Sequence, residues 1–274
     1  MTEPTSILVV GVDETASAVA RMLLLSGYSV AIHQAVPPRV LRRKMAFGDA
    51  WYDGSAILDS VPARRADQTA DFLIGLRSRS FIPVLTQPFT EVVDRWPFDV
   101  IVDARIDAEA RHERVKNHAE LTIILGPGAI AGTDCDLVIE ISGPNIGGII
   151  ESGSARTPSS HESEKNQEAS HFVHAPESGV FTTGKIIGEM IRMGEVLGRI
   201  GAKLVLAPAD GRIKGLERSK QAVLTGVIVA ETATDPKAQV NGCSNANQSI
   251  ARGVVYAVEM TFADWTPVSL KKFT

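Results

Sequence analysis

A chain of 274 residues with 44% apolar and 22% charged side chains is long enough to bury a large core and to form two domains. Its formal net charge of −4 argues against a general nucleic-acid binder, which needs a basic stripe to neutralise phosphates. There is no run of about 18 apolar residues to span a membrane.

Two cysteines, Cys135 and Cys243, stand far apart with no CxxC spacing, so neither a disulfide framework nor a thiolate metal site is expected. A reducing cytoplasm fits that pattern. The first residues, Met1 to Ser6, carry no positive segment, and no secretion signal is expected from them.

Ile7 to Val10 forms a compact apolar run ending at Gly11, which predicts a buried strand. Thr15 to Ser26 carries Ala16, Val19, Ala20, Leu23 and Leu24 at helical spacing and closes at Gly27; Tyr28 to Ile32 then reads as the next strand. That is a β-α-β unit, with two parallel strands joined by a crossover helix. Further strands are predicted at 82–85, 100–103, 122–125 and 137–141. Short apolar runs separated by helices and turns favour a doubly wound, Rossmann-like parallel sheet over residues 1–155.

Between Arg156 and Ser170 the chain turns to Ser, Glu, His, Asn, Gln and Lys, the composition of a linker. An internal echo follows at an offset of 32 residues. Ala175-Pro-Glu-Ser-Gly179 recurs as Ala207-Pro-Ala-Asp-Gly211, and Ile191-x-x-Gly194-x-x-Leu197 recurs as Val223-x-x-Gly226-x-x-Val229. Two copies are too few for a solenoid, so residues 171–231 are expected to form a duplicated all-β domain. In the final segment, 232–274, Ile250, Val254, Val255 and Val258 predict a helix over 249–259 that docks back on the first domain.

The chemistry-bearing residues fall into separate stretches. Gly11-Val-Asp-Glu-Thr-Ala16 stands where a dinucleotide fold carries G-x-G-x-x-G, but Asp13 and Glu14 put negative charge where a phosphate would sit. His33 and Gln34 stand where an acidic ribose clamp is expected, so conventional NAD binding is not anticipated. A second glycine loop, Gly126-Pro-Gly-Ala-Ile-Ala-Gly132, follows a strand. Its residues Gly126, Gly128 and Gly132 can expose backbone N–H groups to an anion or simply make a tight strand-to-helix turn.

Arg39, Arg42, Arg43 and Lys44 precede the aromatics Phe47, Trp51 and Tyr52. Arginine forks suit phosphate or carboxylate; the other reading is a solvated charged face over buried rings. Asp103 and Arg105 end a predicted strand, where open α/β sheets place ligand contacts, and an internal ion pair accounts for them equally well. The six histidines show no HxxxH or HxH spacing; His171 and His174, three apart, flank a predicted strand, so no metal site is expected. No G-x-S-x-G elbow and no nucleophile, base and oxyanion set can be assembled, so a conventional enzyme is not expected.

Several motifs, taken together in order, resemble a known family. They are Leu41-Arg-Arg-Lys-Met-Ala-Phe-Gly-Asp-Ala-Trp-Tyr-Asp-Gly54, Asp99-Val-Ile-Val-Asp-Ala-Arg105, Leu125-Gly-Pro-Gly-Ala-Ile-Ala-Gly-Thr-Asp134, Val138-Ile-Glu140 and Gly147-Gly-Ile-Ile-Glu-Ser-Gly-Ser-Ala155. The Ala-Pro-x-x-Gly repeat, Cys243-Ser-Asn-Ala and Ile250-Ala-Arg-Gly-Val-Val255 continue the series. Together they resemble the YqeB-type accessory proteins of selenium-dependent molybdenum hydroxylase systems. The resemblance implies a maturation role for a molybdenum-enzyme client and the handling of an anionic ligand, a pterin cofactor or a nucleotide. It transfers no catalytic residue. The family's opening glycine-rich segment is reduced here to Gly11-Val-Asp13, and a charged segment of the family is replaced by Gly143-Pro-Asn-Ile-Gly-Gly148. The ligand residues expected on this basis are Gly126, Gly128, Gly132, Arg42, Arg43, Asp103 and Arg105, in a cytoplasmic homo-oligomer. The alternatives are a non-catalytic scaffold that holds its client through the β domain, or a covalent carrier-like module.

The 32-residue repeat also resembles the barrel-sandwich fold of biotinyl and lipoyl carrier domains, which carry a modified lysine on a hairpin between the two halves. Here Gly198 to Lys203 passes directly into Leu204, leaving little room for a hairpin and no carrier signature, so Lys203 is expected to be an ordinary surface lysine.

Overall fold

The computed structural model describes residues 5–106, 115–157 and 170–262. The predicted linker lies mostly outside them, as do His112 and His161. The first part is a mixed α/β unit. Strand β1 (Ser6–Val10), helix α1 (Glu14–Leu25) and β2 (Ser29–His33) form the β-α-β unit, with β1 and β2 parallel. Asp13 caps α1 by accepting the Ala16 N–H at 2.8 Å, and Gly27, at φ +95°, carries the chain away from the helix end.

A short helix α2 (Asp49–Asp53) leads into the hairpin β3 (Ser55–Leu58) and β4 (Val61–Arg65). Helix α3 (Thr69–Ser78), β5 (Ile82–Leu85), α4 (Phe89–Arg95), β6 (Val100–Asp103), β7 (Leu121–Leu125), β8 (Leu137–Ile139) and β9 (Ile149–Ile150) complete the sheet. Its order is β3-β4-β5-β2-β1-β6-β7-β8-β9. The pairings from β4 through β8 are parallel, and the edge pairs β3/β4 and β8/β9 are antiparallel.

Both faces of this sheet are buried. Ile7 and Val9 of β1 join one core with α1, while Leu8 and Val10 join the other with Phe72 of α3 and Phe89, Val92 and Val93 of α4. Strands covered on two sides need apolar residues at every position rather than at alternate ones, which is why they stand out as unbroken runs. Helix α5 (Asn245–Phe262) covers the first face beside α1, burying Ile250, Ala251, Val254, Ala257 and Val258, a stripe of i, i+4 and i+7 spacing. Gly253 lets it come close: a Cβ there would collide with the Gly147 carbonyl.

The second part consists of β10 (Ser170–His174), β11 (Gly179–Thr182), β12 (Met190–Ile191), β13 (Val196–Ile200), β14 (Lys203–Leu206), β15 (Gly211–Leu216), β16 (Gln221–Val223) and β17 (Ile228–Ala233). They make two four-stranded antiparallel sheets, β10-β17-β15-β12 and β14-β13-β11-β16. The 32-residue offset turns one order into the other: β10 corresponds to β14, β17 to β13, β15 to β11 and β12 to β16. The repeat is therefore a pseudo-two-fold pair of interleaved units. Each is unable to close a core alone, and together they bury Phe181, Ile191, Leu197, Ile213, Leu216, Val223 and Val229.

Two expectations need correction here. The loop after β7 does not turn into a helix. It runs through a bridge between Ala131 and Cys135 straight to β8, because the Gly126, Ala131 and Gly132 N–H groups bond Ile139, Gly153 and Cys135 carbonyls instead of starting a helical ladder. Strands β13 and β14 do form a tight hairpin at Gly201 and Ala202, with Ile200 paired to Lys203. Gly201 takes φ +55°, so a two-residue turn makes the hairpin for which the sequence leaves little room.

Candidate functional site

The strand order places a switch point at β1: the chain moves from β1 to β2 on one side, then returns through β5 and α4 to β6 on the other. Such a point leaves a crevice beyond the carboxyl ends of the strands. A crevice of about 270 Å³ lies there, lined by Gly11, Asp13, His33, Gln34, Arg39 and Arg105, with Val10, Val12, Val36, Pro38 and Ile106 among its apolar walls.

Three pieces of local structure shape it. Arg105 follows the end of β6, and Asp103, 1% exposed, grips it at both ends of the fork, Nε to Oδ1 and Nη2 to Oδ2, each at 2.9 Å. The arginine stem lies over the first glycine: a Cβ on Gly11 would sit 3.5 Å from Arg105 Cγ. Gly11 itself takes φ +109°, so no side chain separates that stem from the loop. The opposite wall, residues 34–40, is held from behind by the aromatics, Trp51 Nε1 donating to the Gln34 carbonyl at 3.1 Å and Tyr52 Oη to the Pro38 carbonyl at 2.9 Å. Arg39 stands on that wall, 43% exposed, and one Nη donates to Glu217 at 2.9 Å.

The floor is acidic. Asp13 occupies the N-terminus of α1, where a dinucleotide pyrophosphate would rest; burial pushes its carboxyl up, and the N–H groups of Ala16 and Thr15 partly offset that. His33 Nε2 bonds the Gln87 carbonyl at 2.9 Å, and its ring meets Phe89 edge-on.

Of the residues expected from sequence, the structure brings Arg105 and, through it, Asp103 to the crevice. Arg39 and Asp13 join them; the signal that would have found them is the position of the 34–40 wall, which only the switch point defines. Arg42 and Arg43 go elsewhere. Arg42 forms a two-point ion pair with Glu231 of β17, Nε to Oε2 at 2.6 Å and Nη2 to Oε1 at 2.8 Å, and Lys214 adds a third contact at 3.3 Å. Burial alone would push the Glu231 carboxyl up; Arg42 and Lys214 more than reverse it and hold it below its ordinary value. Arg43 bonds Asp49 and the Leu216 carbonyl, and Lys44 the Ile187 carbonyl. From Arg42 to Lys44 the basic run is the seam between the α/β part and the β part; of the run, Arg39 alone lines the crevice.

Gly126, Gly128 and Gly132 all take positive φ, from +78° to +88°. The Gly126 side faces Ile141, and Ile130 N–H is taken by Asp134 at 2.8 Å. Both cysteines are buried, and burial pushes each thiol up to about 11, which leaves them protonated at neutral pH. Among the described residues no group of three or more His, Cys, Asp or Glu side chains is placed to hold a metal. No helix among the described residues is long and apolar enough to cross a membrane.

Fold and crevice define a mixed α/β protein with a largely parallel sheet, a ligand-sized opening at its switch point and a separate pair of antiparallel sheets. No family model matches the chain. It is similar to the uncharacterized protein YqeB of Escherichia coli (strain K12), 30% identical over 259 residues that make up 93% of this chain and 47% of that protein. The chain thus spans about half the length of the relative it matches, and the relative's description states no activity. Among solved structures it is similar to a Shewanella frigidimarina protein described as a succinylglutamate desuccinylase/aspartoacylase, at 13% identity and a TM-score of 0.26 over 85% of this chain and 90% of that one. A likeness at that level carries no argument about activity.

Proposed function

We propose that this protein is an accessory protein that binds a small anionic organic ligand, a mononucleotide or a pterin-type cofactor, in the crevice at the ends of β1, β2 and β6, and serves a molybdenum-type hydroxylase as client. The observation that carries the ligand reading is the meeting of Arg39 and Arg105 on one apolar-walled opening at the switch point of a Rossmann-like sheet. Arginine forks recognise phosphate or carboxylate, while Asp13 and Gln34 suit the hydroxyl and amine donors of a ribose or a heterocycle. The client rests on the motif resemblance and its ordered spread along the chain. The repeat supports a barrel-sandwich module beside that sheet, whose hairpin Lys203 is tied to Glu177 at 3.6 Å on the surface.

Calorimetric titration with adenosine and guanosine monophosphates and with pterin-6-carboxylate tests the reading. At least one should bind, and Arg105→Ala or Arg39→Ala should weaken it by about tenfold or more, the loss of one charge-assisted contact. Equal affinity in wild type and both variants, or no binding by any of the three, removes the crevice as the ligand site.

A further inference from the structure

The two halves of the β part are alike in fold and unlike in what covers them. On the sheet β10-β17-β15-β12, the strap Arg39–Arg43 lies against β15 and β17. Leu216 N–H donates to the Leu41 carbonyl at 2.9 Å, a Cβ on Gly215 would meet Leu41 Cβ at 3.0 Å, and Glu217 and Glu231 receive Arg39 and Arg42. Glu217 and Glu231 are 4% and 1% exposed.

Moving each of these positions back by 32 residues leads to a groove of about 450 Å³ on the other sheet. Its lining residues include Thr183, Gly184, Lys185 and Arg199, the counterparts of Gly215, Leu216, Glu217 and Glu231. The remaining lining residues, Thr182, Glu189, Val196, Leu197 and Gly198, correspond to Lys214, Gln221 and Ile228 to Ala230. The groove is therefore the second copy of the strap's seat, and the chain supplies no strap for it among the described residues.

Its chemistry is inverted. Where the covered seat presents two carboxylates to arginines, the open one presents Lys185 and Arg199. Lacking a strap, Lys185 is satisfied by its own unit, by Glu189 at 2.7 Å and Glu195 at 2.6 Å, while Arg199 stands exposed at the groove. The main-chain bond from Glu217 N–H to the Val229 carbonyl in the covered seat becomes, in the open one, a relay through Thr183. Its hydroxyl donates to the Leu197 carbonyl at 2.5 Å and accepts the Lys185 N–H at 2.9 Å. At the rim, Val196 and its cross-strand partner Leu206 are 40% and 45% exposed, an apolar surface for a side chain playing the part of Leu41.

We propose that this groove is a docking seat for an extended segment of a partner protein, one apolar residue flanked by carboxylates, bound as the charge-inverted counterpart of the protein's own strap. Arg199, exposed at the groove while Lys185 is met by Glu189 and Glu195, draws the partner's acidic residues, and the exposed pair Val196 and Leu206 supplies the apolar contact. The seat is independent of the crevice, and its failure would leave the ligand reading untouched.

The test uses the full chain and a fluorescein-labelled peptide Glu-Val-Leu-Glu-Glu, the sequence of Arg39 to Arg43 with its three arginines inverted. Fluorescence anisotropy should show saturable binding that Arg199→Glu weakens by about tenfold or more and that Lys237→Glu, the same charge change at an exposed site past the end of β17, leaves within about twofold. The Arg199→Glu protein should in turn prefer the native-sign peptide Arg-Val-Leu-Arg-Arg. No binding, equal binding of both peptides by the wild type, or equal weakening by Arg199→Glu and Lys237→Glu overturns the proposal.

Discussion

The seam and the crevice are built from the same residue type a few positions apart in one strap, and they do opposite things with it. At the seam, Arg42 meets a carboxylate that is 2% exposed and engages it with two donors. At the crevice, Arg39 is 43% exposed and donates through one nitrogen to Glu217, whose other oxygen already accepts the Arg218 N–H at 2.8 Å. Arg42, engaged at two points by a buried carboxylate, ties the α/β part to the β part, and removing it strands that charge in low dielectric. A half-exposed, one-point arginine costs little to redirect toward a ligand. What separates Arg42 from Arg39 is the number of donors engaged and the exposure of the arginine itself, since both partners, Glu231 and Glu217, are buried, and sequence spacing encodes neither.

The largest effect is therefore expected at Arg42. Arg42→Ala leaves Glu231 with Lys214 at 3.3 Å as its remaining cation, and urea denaturation should show a loss of about 3–5 kcal/mol, the range for breaking a buried pair from one side. A loss under about 1 kcal/mol would place the seam in the same class as the crevice and dissolve the contrast.

Glu14 sharpens the contrast from the acidic side. It stands at the start of α1 beside the same seam, and burial pushes its carboxyl up to about 7, the nearby Arg42 charge only partly opposing this. In the unfolded chain it titrates near its ordinary value of 4.5, so between those limits the folded state holds more protons. Stability should then fall as pH rises from about 4.5 to about 7 and level off above, with a full cost of about 3 kcal/mol for the ionised form. Glu14→Gln removes the titration: the variant should match wild type near pH 4.5 and exceed it by up to about 3 kcal/mol at pH 8. Equal stability of the two proteins at pH 8 would show that Glu14 is solvated at the seam.

Legibility follows the same physical line. Strands buried on both faces announce themselves as unbroken apolar runs, so β1, β5, β6 and β7 could be read within a residue of their ends. The hairpin β3/β4 could not: Ser55, Ala56 and Ile57 are partly or fully exposed and Arg64 and Arg65 face water, so no apolar run marks it. The 32-residue echo was visible because two copies must repeat the same turn glycines and core positions. The interleaving of the two sheets was not, since it depends on which strands pair across the repeat. Arg105 was legible as the residue after a strand end; Arg39 was not, because its place at the crevice depends on Trp51 and Tyr52 fixing the wall from outside. Gly126, Gly128 and Gly132 gave a strong local signal for a loop of positive φ, and local signal says nothing about where the N–H groups point.

The smallest stability effect is expected at Arg39, and it is the one that binds the two halves of the comparison. Arg39→Ala removes one hydrogen bond from Glu217 while the Arg218 N–H remains, so the loss should be about 1 kcal/mol, the upper range for a partly exposed pair. Yet Arg39 belongs to both places: its side chain lines the crevice and its partner, Glu217, is on the β part. An anion drawn to Arg39 competes with Glu217 for the same fork. Saturating ligand should therefore narrow the stability difference between wild type and Glu217→Gln, because the ligand replaces in wild type the contact that the variant has already lost. If the difference is the same with and without ligand, measured by thermal unfolding at one pH and salt concentration, the two contacts are independent and Arg39 belongs to the seam alone.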